Sequence, residues 1–201
     1  MAAELPQTLV DALEALQECL RRADRRAIII GGLAASLLGR PRFTRDIDAL
    51  ADVSDDDLDL VIESAAATGI EPRIQDARDF AIRSRVLLLR HRPSQIDIDV
   101  VMATLPFEQD AVNSGQCRSL GSVEIRLPRV EDLLIMKAIA HRPRDLADIE
   151  GLLLAHPEAD LDRARRWIRE FAQASTQPEL LEDFDRLVAA RPQVTPSQPA
   201  S

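Results

Sequence analysis

The sequence predicts an α+β fold: a small mixed or antiparallel sheet with flanking helices, followed by a helical bundle. Short apolar or alternating runs such as AIII, DIDALA and VLLLRH recur among helical stretches before residue 128. From Pro128 onward such runs stop, and four successive segments carry helical periodicity. A chain of 201 residues with 46% hydrophobic content can bury a core as one domain plus a helical appendage. The expected division is an α+β domain with an N-terminal helix over residues 1–127, a helical region over 128–190, and a disordered tail over 191–201, where Pro, Ser and Gln dominate.

Taken in order, LVDALEALQECLRRA (9–23) spaces its apolar residues as one helical stripe. AIII (27–30) is β-branched and stopped by Gly31-Gly32, a buried strand. LAASLLG is a short helix ending at Gly39, and DIDALA (46–51) alternates as a second strand. SDDDLDLVIESAAATG opens with capping chemistry at Ser54 and closes at Gly69, which marks a helix. VLLLRH (86–91) and IDIDVVMA (96–103) flank the turn-prone RPSQ and form a hairpin. PFEQDAVNSG gives another short helix, and CRSLGSVEIRL a strand pair. The four helical segments are VEDLLIMKAIAH, RDLADIEGLLLAH, DLDRARRWIREFAQA and ELLEDFDRLVAA.

The net charge of −9 argues against an extensive surface for coating nucleic acid, although a small basic patch is compatible with it. No run approaches the roughly 18 apolar residues that a membrane span needs, and the N-terminus lacks a signal layout, so a cytoplasmic protein without membrane partners is expected. Cys19 and Cys117 lie far apart without a metal-type spacing and read as reduced thiols. The scattered His91, His141 and His156 suggest no catalytic role, and no serine has the setting of a nucleophile elbow.

Alternation on a strand points Asp46 and Asp48 the same way, with Ile47 opposite. IDIDVV repeats the geometry with Asp97 and Asp99. Asp is a poor strand former, so its doubling on two apolar strands suggests a site, although each pair alone also fits the wet face of an amphipathic strand. If the strands are neighbours, three or four carboxylates converge, an oxygen-rich patch suited to Mg²⁺. Gly31-Gly32, between strand and helix, can let backbone N–H groups approach an anion, or can simply make a tight turn. Arg40, Arg42 and Arg45 can grip phosphate, pair with the aspartates or belong to a solvated loop.

Strand, GG, short helix, G-R-x-R-x-T-x-D-x-D and a later strand with IDVV together resemble the DNA polymerase β-type nucleotidyltransferase superfamily. GRPRFTRDIDAL, IDVVMATLPFEQDAV and LPRVEDLLIMKAIAHRPRDLADIEGLL look like segments of the abortive-infection (AbiEii-like) nucleotidyltransferase toxins, a likeness spanning roughly residues 27–155. The resemblance implies the nucleotidyltransferase fold, with Asp46, Asp48 and Asp99 as catalytic, metal-binding carboxylates and Asp97 as the second choice for the third. It places Gly31, Gly32, Arg42, Thr44, Arg45, Lys137 and Asp145 around the nucleotide phosphates. Lys137 is the only lysine in the chain and sits in an apolar helix, where it either snorkels to solvent or points into the site. Asp145 also fits an acidic first helical turn.

The implied reaction moves a nucleoside monophosphate from an NTP to an acceptor hydroxyl with two Mg²⁺ ions, or Mn²⁺, and releases pyrophosphate. The acceptor would be RNA, such as a tRNA 3′ end, with a cognate antitoxin as a partner. The alternatives are a small-molecule acceptor, as in aminoglycoside nucleotidyltransferases, or a non-catalytic nucleotide-binding module on the same fold.

Overall fold

The computed structural model describes residues 5–121 and 123–191. The expected tail at 191–201 lies outside the described residues apart from Arg191, which follows the last helix. The chain separates into two compact units. One comprises Met1–Ala34 and Pro41–Arg129, the other Ala35–Arg40 and Val130–Ser201.

In the first unit, α1 (Gln7–Arg22) buries the stripe Leu9, Leu13, Leu16 and Leu20 against α3, β5 and β7. The strand β1 (Ala27–Ile30) runs directly into α2 (Gly31–Leu38), so the helix starts at the glycine pair itself. The strand β2 (Asp46–Ala51) leads to a single 3-10 turn at Asp55–Asp57 and then to α3 (Leu58–Ala66). That turn is fixed by Ser54, whose backbone N–H and hydroxyl both donate to Asp57 Oδ2 at 2.9 and 2.7 Å.

Two elements enter that the sequence patterns did not announce: β3 (Ile70–Pro72) and α4 (Ala77–Ser84). The hairpin β4 (Val86–His91) and β5 (Ile96–Met102), the helix α5 (Pro106–Asn113) and the separate hairpin β6 (Gln116–Leu120) and β7 (Val123–Leu127) complete the unit.

The main sheet has the order β1-β2-β5-β4-β3. Only β2 and β5 run parallel, so it is a mixed sheet. Ile47 and Ile98 are register partners and fully buried, as are Ile28, Leu50, Leu87 and Leu89, which builds the core on this sheet. At roughly 25 cal/mol per Å², each such side chain contributes about 1.5–3 kcal/mol. Both cysteines are free thiols: Cys19 is buried, which pushes its pKa up to about 11, and Cys117 is exposed.

The second unit contains α6 (Val130–Ala140), α7 (Pro143–Ala155), α8 (Leu161–Ser175) and α9 (Glu179–Ala190). Here α6 packs on α7, α8 and α9, around Leu133, Leu134, Ile149, Leu152, Ile168 and Phe184. No helix among the described residues is long and apolar enough to cross a membrane.

Candidate functional site

The parallel pairing of β2 and β5 sets Asp46 opposite Asp97 and Asp48 opposite Asp99. Register partners on neighbouring strands share a face, so all four carboxylates project from one side of the sheet, with Ile47 and Ile98 buried on the other. The sequence leaves open whether the two D-x-D strands are neighbours; the structure makes them so, in register.

The antiparallel strand β1 brings Ile30 opposite Asp48. The next residue, Gly31, therefore abuts that carboxylate. It has φ +64°, and a Cβ at this position would run into the Asp48 side chain. Both facts require glycine here. A Cβ on Gly32 would lie 2.9 Å from the Arg42 guanidinium and 3.2 Å from the Thr44 hydroxyl. The glycine pair, Arg42, Thr44 and Asp48 thus form one tight cradle at the start of α2. Thr44 Oγ1 also donates to Asp46 Oδ1 at 2.7 Å, which ties the loop to the first aspartate. Arg45 stands 5.6 Å from the ring centre of Phe43, and that ring is 68% exposed.

Two arginines complete the patch. Arg90, opposite Asp97 on β4, donates from Nε to Asp97 Oδ1 at 2.6 Å. Arg73, just after β3, donates from Nη1 to Asp97 Oδ2 at 3.0 Å and from Nη2 to Asp99 Oδ1. The hydrogen bond from Arg90 is the largest influence holding the Asp97 carboxyl below its ordinary pKa. Burial pushes Asp99 the other way, above the ordinary value; Arg73 opposes that rise while the charges of Asp97 and Asp46 add to it. The two aspartates of one strand are thereby driven apart in acidity.

As the side chains stand, no group of three or more His, Cys, Asp or Glu among the described residues is gathered closely enough to hold a metal ion. The donor set nevertheless suits a hard cation: carboxylate oxygens on adjacent strands beside a glycine cradle.

Lys137 and Asp145 belong to the other unit, on α6 and α7. Lys137 Nζ lies 2.8 Å from both Asp145 Oδ1 and Asp148 Oδ2, and Arg142 Nε donates to Asp145 Oδ2 at 2.6 Å. Lys137, Asp145 and Asp148 are all buried.

Arg73 and Arg90 were missed in the sequence. The hairpin could have yielded Arg90, since counting back from the RPSQ turn sets it opposite Asp97. Arg73 follows directly on an unforeseen strand.

A family model described as "Nucleotidyltransferase of unknown function (DUF6036)" matches residues 7–194. The chain belongs to this family. No curated protein matches the sequence. Among solved structures, the fold is similar to that of an antigenic nucleotidyltransferase-like protein from Paracoccidioides brasiliensis. That likeness has a TM-score of 0.52 at 16% identity and covers 89% of this chain and 91% of that one. The fold is also similar to that of the antibiotic-resistance factor ANT(2'')-Ia, with TM-score 0.55, 14% identity, and 87% and 97% of the two chains covered. A structure of ANT(2'')-Ia in complex with adenylyl-2''-tobramycin gives TM-score 0.55 at 15% identity, with 84% and 99% covered. At these identities the likeness is one of fold. It agrees with the α+β nucleotidyltransferase architecture expected from the sequence.

Proposed function

We propose that the protein is a divalent-cation-dependent nucleotidyltransferase that moves a nucleoside monophosphate from an NTP to an acceptor hydroxyl. The observation that carries this reading is the pairing of Asp48 with Asp99 on parallel strands, beside a glycine cradle at the start of a helix.

Asp46, Asp48 and Asp99 would hold Mg²⁺, which supplies charge neutralisation on the triphosphate when bound. The N–H groups of Gly31 and Gly32 present donors to a phosphate at the N-terminus of α2. Arg42 and Thr44 close the cradle, and Arg45 stands at its rim. Asp99, the carboxyl with the raised pKa, accepts the proton of the acceptor hydroxyl. The acceptor oxygen bonds to the α-phosphorus, the bond between that phosphorus and the α–β bridging oxygen breaks, and pyrophosphate leaves. Asp97, held by two arginines, serves as their anchor in this reading rather than as a ligand.

The acceptor we favour is RNA, such as a tRNA 3′ end. Its support is the Arg42–Arg45 loop, which offers guanidinium groups and an exposed Phe43 ring together, the combination that suits phosphate backbone and unstacked bases. The toxin role, with a cognate antitoxin, rests on the likeness of the GRPRFTRDIDAL and LPRVEDLLIMKAIAH segments to the abortive-infection enzymes. A small cationic acceptor is the second reading, favoured by the fold shared with a protein solved with adenylyl-2''-tobramycin.

The test is incubation with each α-³²P-labelled NTP, Mg²⁺ and total RNA beside Asp48→Asn. Label in a tRNA-sized band that falls at least about a hundredfold in the variant supports RNA nucleotidyl transfer. Unlabelled RNA with Asp48-dependent pyrophosphate release on aminoglycosides selects the second reading. No release on either acceptor refutes both.

A further inference from the structure

We propose that Arg73 competes with a divalent cation for Asp99: its guanidinium holds Asp99 and must leave that carboxylate before a divalent ion can bind there. The proposal rests on the reading of Asp46, Asp48 and Asp99 as cation ligands.

Arg73 is placed by the sheet. Its backbone N–H donates to Leu88 O at 3.0 Å, and Leu88 is the register partner of Asp99. The side chain therefore extends over Leu88 from the sheet edge toward the carboxylate patch. There it divides its two terminal nitrogens between Asp97 and Asp99. Asp97 is already matched by Arg90 at 2.6 Å, so its negative charge is balanced without Arg73. The positive charge of Arg73 is left to serve Asp99, the work a bound cation would do. One carboxylate oxygen of Asp99 is thereby engaged by Arg73.

A second observation concerns the donors of this guanidinium. Arg73 Nε is buried and has no acceptor among the described residues. A buried N–H without an acceptor is costly, so the guanidinium has donor capacity to gain by moving. Phosphate oxygens are the acceptors it suits best, through paired hydrogen bonds. Ion and nucleotide should consequently bind with positive coupling: the triphosphate gives the displaced guanidinium a new partner, and the ion takes its place on Asp99.

The experiment is Mn²⁺ binding to the full chain without nucleotide, followed by electron paramagnetic resonance of the free ion. Losing a charge-assisted partner of Asp99 predicts that Arg73→Gln binds Mn²⁺ at least about tenfold more tightly than wild type, with Arg73→Lys between them. If wild type binds Mn²⁺ in an Asp48-dependent way and Arg73→Gln binds no more tightly, the exchange is refuted while the cation site stands. If neither protein binds Mn²⁺, even with a non-hydrolysable NTP, the cation site itself fails and the exchange fails with it. Should Arg73→Gln not fold, the wild type supplies the answer. Its Arg73 Nε–Hε resonance, assigned by comparison with Arg73→Lys, must shift on saturation with Mg²⁺ and the NTP analogue. A resonance that stays in place overturns the proposal.

Discussion

The ammonium of Lys137 sits between two carboxylates with almost no solvent, and its removal should be felt through the whole helical unit. In wild type, Nζ reaches Asp145 and Asp148 at 2.8 Å each, and the Lys137 side chain is 6% exposed. Lys137→Met keeps the apolar stem but leaves two buried carboxylates with one cation fewer. Breaking a buried pair from one side costs about 3–5 kcal/mol. With a urea dependence of roughly 2 kcal/mol per M, the midpoint should fall by about 1.5–2.5 M. The chain has a single tryptophan, Trp167 on α8, so its fluorescence reports this unit directly. Combining Lys137→Met with Asp145→Asn and Asp148→Asn removes the uncompensated charge and should restore most of the loss. Lys137→Arg should lose stability too, because a planar fork does not fit where a compact point charge meets two oxygens. A midpoint for Lys137→Met within about 0.3 M of wild type would show that the ion network contributes little and would turn attention to a ligand role for the lysine.

Acid should weaken the same network with a defined sign. Burial works to raise the Asp145 carboxyl, but hydrogen bonds from Arg142 and Lys137 more than offset it and hold its pKa below the ordinary value. A depressed carboxylate contributes stability that is complete above its unfolded pKa, near 4, and is lost as pH falls through the folded one; urea midpoints by Trp167 fluorescence should be flat from pH 7 to about 5 and fall below that. Gly31→Ala forces a side chain into the left-handed region and against Asp48, costing about 1–2 kcal/mol; calorimetry should show NTP binding weakened by at least about tenfold even where the variant is folded. Phe43→Ala removes a largely exposed side chain, so the thermal midpoint should stay within what ±0.5 kcal/mol allows, while KM for an RNA acceptor rises several-fold; an unchanged KM would remove Phe43 from acceptor binding.

The strands that build the candidate site could be read from the sequence because they announce themselves. AIII, DIDALA, VLLLRH and IDIDVVM are apolar runs bounded by turn residues, and β1, β2, β4 and β5 fall on them. The doubled aspartates stood out because strand interiors disfavour them. The missing elements gave weak signals for physical reasons. The strand β3 has three residues and ends in a proline. The helix α4 buries only Ala77 and Ala81, side chains too small to write an apolar stripe. Arg73 was invisible because it is positioned by that short strand, which ends one residue before it. Lys137 stayed ambiguous because α6 is buried almost all round, so helical periodicity names no face for it.

The parallel register of β2 and β5 has a further effect, on folding itself. Side chains alternate along a strand, so sliding β5 by one residue would carry Asp97 and Asp99 into the interior and push Ile98 out into water. Long-range parallel pairing is slow to form and open to such slips. Asp97 and Asp99 forbid this one, since each would enter an apolar core as a naked charge. The two carboxylates of β5 therefore also proofread the assembly of the sheet, and neutralising both together should give a chain that pairs its strands less faithfully.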